Sequence, residues 1–169
     1  MTQSSSQSTL LFPGSWSENK PDKWDLRFLR MAKEVSTWSK DPSTQVGSVM
    51  VDMRNRVLGL GYNGLPRGIE DTAERLNDKE TKYALTVHAE VNCLLNSQKP
   101  DGGYSKLYCT EVPCCECAKL IAQTNVDYVV AFDPRPEFYE RWKKSFDLTK
   151  LIFQEAGIEW LTVPRSQIV

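Results

Sequence analysis

The stretch VGSVMVDMRNRVLGLGY, residues 46–62, decides the fold class. Val46–Asp52 and Val57–Tyr62 are short, apolar and rich in β-branched residues, and the polar run Met53-Arg54-Asn55 between them suits a tight reversal. This predicts a hairpin. Upstream, Leu26, Phe28, Leu29, Met31, Ala32, Val35 and Trp38 recur at helical spacing, with Asp22 or Asp25 placed to cap the start. Downstream, helices are expected at His88–Leu95, Cys114–Thr124 and Pro136–Ala156, the last stopped by Gly157. Strands are expected at Lys106–Thr110, Asp127–Phe132 and Ile158–Val163. The order α-β-β-α-β-α-β-α-β implies one sheet covered by helices, mostly parallel after the hairpin. Residues 1–20, rich in Ser and Gln, read as an N-terminal tail, and 21–169 as a single domain. Ile69–Val87 is charged and without clear periodicity, as expected of a regulatory or intersubunit loop or of solvated surface.

Composition narrows the function. The 169 residues carry 21 Lys plus Arg against 22 Asp plus Glu, a net charge of −1. That balance argues against a dedicated nucleic-acid binder while leaving room for a local basic pocket. No apolar run approaches the roughly 20 residues that span a bilayer, so no membrane partner is expected. The five cysteines all lie between positions 93 and 117, a poor disulfide framework but good material for metal ligation. With no secretory signal pattern at the start, the reading expects an intracellular, cytoplasmic protein, or one of the host cytoplasm if its source is viral.

The chemistry is concentrated in two motifs. His88-Ala89-Glu90 contains the chain's one histidine, and Pro113-Cys114-Cys115-Glu116-Cys117 follows. One imidazole and two thiolates are three ligands, the open pattern of a catalytic zinc site. Cys114 and Cys117 share one face of a helix's first turn, where the helix dipole favours thiolates. The combination matches the zinc deaminase signature H-x-E with P-C-x-x-C, in which the glutamate is catalytic and not a ligand. His88, Cys114 and Cys117 are thus the expected Zn²⁺ ligands, and Glu90 the proton shuttle serving the attacking water, ring N3 and the departing amine. A zinc ion held this way makes water nucleophilic near neutral pH.

Beyond these motifs the chain resembles deoxycytidylate (dCMP) deaminases over roughly residues 24–163. The resemblance is carried by Lys40-Asp41-Pro42-Ser43-Thr44-Gln45-Val46-Gly47, by Gly61-Tyr62-Asn63-Gly64-Leu65-Pro66-Arg67-Gly68, and by the two zinc motifs. It implies a three-layer α/β/α sandwich with a five-stranded mixed sheet, of the cytidine deaminase-like kind. It implies hydrolytic deamination of dCMP to dUMP, supplying the dTMP precursor. It also implies a homohexamer activated by dCTP and inhibited by dTTP, with Mg²⁺ accompanying the triphosphate.

Asn63, Ser43, Thr44 and Arg135 are the expected substrate contacts, Asn63 toward the sugar and Arg135 toward the phosphate, with Lys40 and Arg67 as further cationic candidates. Asn63, Gly64 and Arg67 are the expected allosteric contacts, in a glycine-rich loop offering free backbone donors. A second, structural zinc is not expected, because the histidine is already used. The rival enzyme reading is a tRNA adenosine deaminase-like protein, disfavoured by the neutral charge and the lack of a basic C-terminal helix. A noncatalytic zinc or nucleotide-binding regulatory module is the reading from another class, and the presence of Glu90 speaks against it.

Overall fold

The computed structural model describes residues 20–98 and 103–168. The expected tail, apart from Lys20, lies outside the described residues. Helix α1 (Lys23–Ser36) begins with a reciprocal capping box. The Asp22 carboxylate accepts the N–H groups of Trp24 and Asp25, and the Asp25 carboxylate accepts that of Asp22. Strands β1 (Gly47–Asp52) and β2 (Val57–Tyr62) form the expected antiparallel hairpin. In its turn Asp52 Oδ1 accepts the N–H groups of Arg54 and Arg56, each at 2.9 Å, and Asn55 takes a left-handed φ of 61°.

After β2 the structure departs from the expected loop. Ile69–Val87 contains two short helices, α2 (Ala73–Asn77) and α3 (Lys79–Leu85), each with a side-chain cap from Thr72 and Asp78 respectively. At five and seven residues they are too short to show a hydrophobic period, so local capping and tertiary contacts define them. Then follow α4 (Ala89–Asn96), β3 (Ser105–Cys109), α5 (Cys115–Ala122), β4 (Val126–Phe132), α6 (Pro136–Ala156), β5 (Glu159–Val163) and a 3-10 turn at Arg165–Ile168. Gly157 ends α6 with φ 71°, as its position predicts.

The sheet order is β2-β1-β3-β4-β5. β1 is antiparallel to both β2 and β3, while β3, β4 and β5 run parallel. Alternation along the strands sends Val49, Val51, Tyr108, Val130 and Leu161 to one face, under Phe28, Leu29, Ala32 and Val35 of α1. Met50, Leu107, Val129 and Trp160 point to the other face, under α4, α5 and α6. These two apolar interfaces make the three-layer α/β/α sandwich. Because β1 is antiparallel to β3, the start of β1 lies beside the end of β3: Thr110 N donates to Gly47 O, and Gly47 N to Thr110 Oγ1, both at 3.0 Å. The segments before β1 and after β2 and β3 therefore meet at one end of the sheet.

Candidate metal centre and its cavity

His88 and Cys114, the expected first residues of their helices, are instead the N-cap residues of α4 and α5, which begin one residue later. Neither side chain caps its own helix, so both are available as ligands. Gly61 lets α4 approach β2 closely: a Cβ there would stand 2.2 Å from Ala89 O and 2.3 Å from Cys93 N. On the other side α6 fixes the cysteine segment, with Thr149 Oγ1 donating to Pro113 O and Ser145 Oγ accepting from Cys115 N, both at 2.9 Å. His88 Nδ1 consequently lies 3.4 Å from Cys114 Sγ and 3.3 Å from Cys117 Sγ. Zinc–sulfur and zinc–nitrogen bonds of usual length at a tetrahedral angle place these atoms about 3.5 Å apart. The trio fits a zinc ion.

The thiols share charge unevenly. A hydrogen bond from Cys117, with a further one to His88, holds Cys114 down at about 4, and the same Cys114–Cys117 contact together with burial pushes Cys117 up. The contact with Cys114 raises His88 to about 9. Glu90 is buried in the first turn of α4, and that burial pushes its carboxyl up to about 7, against the lowering effect of His88. A carboxyl so poised can both take and return a proton near neutral pH.

His88, Cys114 and Glu90 open onto a cavity of about 240 Å³, which Phe138, Trp142 and Phe146 of α6 help to wall, while Cys117 lies buried behind them. A second polar cluster lines the same cavity. Lys82 of α3 is only 5% exposed, and its Nζ donates to Asp41 Oδ1 at 3.0 Å and Ser43 Oγ at 3.1 Å. Asp41 is held below the usual carboxylate range: burial opposes this, but the N–H groups of Ser43 and Thr44 and the Lys82 ammonium outweigh it. Arg141 also lines the cavity, and its Nη2 donates to Tyr83 Oη at 2.6 Å.

The expected contact residues divide. Ser43, Thr44 and Asn63 line the cavity. The Asn63 carboxamide, expected to project toward a ligand, instead braces the backbone: Oδ1 accepts from Val46 N at 2.8 Å and Nδ2 donates to Thr44 O at 2.9 Å. Arg135 is not in the lining; it stands 3.7 Å from Glu111 and 3.9 Å from Glu137. Lys40 pairs with Asp71 at 2.7 Å, and Arg67 donates to Asn96 at 3.0 Å, and neither is part of the lining. Nor are the loop's backbone donors all free, since Gly64 N donates to Val87 O and accepts Val87 N in return through its carbonyl. Sequence reading missed Lys82, Glu111 and Arg141, because a lone Lys, Glu or Arg outside a motif is ordinarily solvated.

A family model described as the cytidine and deoxycytidylate deaminase zinc-binding region matches residues 22–133. An uncharacterised deaminase encoded in the luxG 3′ region of Aliivibrio fischeri is 39% identical over 141 residues, covering 82% of this chain and 94% of that protein. The deoxycytidylate deaminase of Mus musculus is 35% identical over 158 residues, covering 87% and 84%. In three dimensions, the crystal structure of dCMP deaminase from the cyanophage S-TIM5 in complex with dCMP and dUMP superposes with a TM-score of 0.65 at 25% identity, covering 86% of this chain and 100% of that one. Family model, relatives and metal geometry agree: the chain belongs to the cytidine and deoxycytidylate deaminase family.

Proposed function

We propose that the protein converts dCMP and water to dUMP and ammonia, supplying the dTMP precursor. The observation that carries this is the buried Glu90 beside the His88–Cys114–Cys117 trio, in a cavity that also holds a buried lysine. Bound zinc supplies the Lewis acidity that makes water nucleophilic at neutral pH. Glu90 takes the proton released as water attacks C4 and delivers it to N3; it then takes the proton of the new C4 hydroxyl and passes it to the amine, so ammonia leaves as the C4–N bond breaks and the C4 carbonyl of dUMP forms. Lys82, with Ser43 and Thr44 beside it, supplies donors for the 5′-phosphate, and Arg141 adds a second cation at the cavity. The match to deoxycytidylate deaminases and to a structure solved with dCMP and dUMP supports the same substrate. Ammonia release from dCMP, CMP, dCTP and cytidine tests it, with zinc content measured alongside. Turnover should be greatest on dCMP; zinc-loaded protein inert toward dCMP would overturn the reading.

The same reading includes activation by dCTP and inhibition by dTTP with Mg²⁺, in a homohexamer, at a site distinct from the metal that involves Asn63, Gly64 and Arg67. The Gly64–Val87 bridge supports it, because it links that loop to the residue preceding His88. A triphosphate preferring one loop arrangement would act on α4 through this bridge. A sigmoidal dCMP curve made hyperbolic by dCTP is the expected result; identical hyperbolic curves with and without each triphosphate would remove the regulatory claim alone. The cytoplasm is the proposed location, and among the described residues no helix is long and apolar enough to cross a membrane.

A further inference from the structure

Cys114 stands at the joint between the loop leaving β3 and the first turn of α5, with φ −71° and ψ 167°. The peptide planes on both sides of it are held from α6. The plane before it carries Pro113 O, which accepts from Thr149 Oγ1 at 2.9 Å. The plane after it carries the Cys115 N–H, which donates to Ser145 Oγ at 2.9 Å. α5 itself adds a hold on this second plane, where Cys114 O accepts from Ala118 N at 2.9 Å. Because peptide groups are rigid, fixing both planes fixes φ and ψ of the residue between them, and with them the direction of its Cα–Cβ bond. Only χ1 is then left to place Sγ, and it has a few staggered choices. Thr149 is buried and Ser145 half-buried, and their i, i+4 spacing puts both hydroxyls on one face of α6.

We propose that Ser145 and Thr149 are positioning residues for the metal, aiming Cys114 Sγ at the point shared with His88 and Cys117 so that Cys114, and not the adjacent Cys115, is the ligand; the assignment rests on the zinc reading. Pro113-Cys114-Cys115-Glu116-Cys117 offers neighbouring thiols of the same chemistry, separated by about 100° around a helix. Cys114 Sγ lies 3.4 Å from His88 Nδ1, whereas Cys115 Sγ is turned to its own neighbour, 3.9 Å from Glu116 Oε1. Rotation of the first turn would exchange the two thiols, and hydroxyls bonded to the backbone on either side of Cys114 oppose that rotation. Partners standing behind a metal ligand orient it, and losing one weakens the hold on the metal. The face of α6 that carries Ser145 and Thr149 continues through Trp142 and Phe138 into the cavity wall. One helix face thus keeps the wall and the cysteine segment in a single register.

The test compares the full-length wild type with Ser145→Ala, Thr149→Val, Thr149→Ser and Cys115→Ser. Zinc affinity is read by competition with a chromophoric chelator, and thiolate ligation by the charge-transfer and d–d absorption of Co²⁺-loaded protein. Metal-free samples are unfolded in urea alongside. Ser145→Ala and Thr149→Val should each bind zinc about 10- to 100-fold more weakly, the usual worth of a partner behind a metal ligand, with altered Co²⁺ bands. Thr149→Ser keeps the hydroxyl and should match the wild type, as should Cys115→Ser. A purely structural role would lower the urea midpoints of the metal-free variants while leaving zinc affinity and Co²⁺ bands alone, and that result would overturn the proposal. So would Thr149→Ser binding zinc as poorly as Thr149→Val, or a weakened thiolate band in Cys115→Ser. Should Thr149→Val not fold, Ser145→Ala decides, because that side chain is half-buried and its loss frees one N–H. A wild type that takes up neither metal would overturn the zinc reading and the positioning with it, whereas equal zinc affinity in wild type and Ser145→Ala would overturn the positioning alone.

Discussion

Glu90 and Lys82 are both buried charged-type side chains in one cavity, yet their substitutions should separate cleanly. Glu90→Gln keeps volume and hydrogen bonding but cannot relay a proton. Its kcat should fall by at least about 10²–10⁴-fold, the usual worth of general acid–base help, with zinc content unchanged. A variant within tenfold of the wild-type rate would remove the shuttle role. Lys82→Met removes the donor proposed for the phosphate and leaves the metal ligands alone. KM for dCMP should rise by about 10- to 100-fold, the scale of one charge-assisted hydrogen bond, with kcat nearly constant. Any residual turnover of cytidine, which lacks the phosphate, should not change. Equal losses on dCMP and cytidine would place Lys82 in a purely structural role through its contacts with Asp41 and Ser43.

Helices α1 and α4 lie so near the sheet that only glycine fits beneath them, Gly47 under the first and Gly61 under the second. A Cβ at Gly61 would fall within 2.3 Å of backbone atoms of α4, whereas one at Gly64 meets nothing within 4 Å. Gly61→Ala must therefore lift α4, and His88 and Glu90 with it. It should destabilise by about 3 kcal/mol, the upper end for overpacking, and weaken zinc retention, whereas Gly64→Ala should stay within about 0.5 kcal/mol. Urea unfolding with zinc assay checks both. The helices that carry ligands were legible because their motifs are local: Cys114 and Cys117 three apart predict one shared helix face, and His88 two before Glu90 completes the signature, before any tertiary contact is known. The hairpin was legible for the same reason. What stayed hidden depends on distant segments. Lys82 is buried because Asp41 and Ser43, some forty positions away, return beside α3. Glu111 is buried under Arg165 from the far end of the chain, and the Asn63 carboxamide is engaged by Thr44 and Val46. No period or spacing encodes those meetings.

At the scale of the molecule, the two apolar interfaces of the sandwich extend far beyond the one buried zinc ligand they include, Cys117, so zinc should stabilise the fold without being required for it. Removing zinc by chelation, or through Cys114→Ala, should lower Tm by roughly 5–15 °C while leaving one cooperative transition. A tightly held ligand adds about 3–4 kcal/mol at 100–1,000 times its Kd, and each kcal/mol is worth about 2–4 °C in a chain of this size. Loss of the far-ultraviolet circular dichroism signal on chelation at room temperature would contradict this. The antiparallel entry of β1 has a practical corollary. Because Gly47 and Thr110 share the reactive end, the Met53–Asn55 reversal is carried to the opposite one. A fluorophore, affinity tag or surface tether spliced in after Arg54, with Asp52 left to brace the bend, should leave dCMP turnover within about twofold. Such a graft would give an immobilised catalyst whose mouth faces away from its support, and a tenfold loss of rate would show that the two ends are not independent.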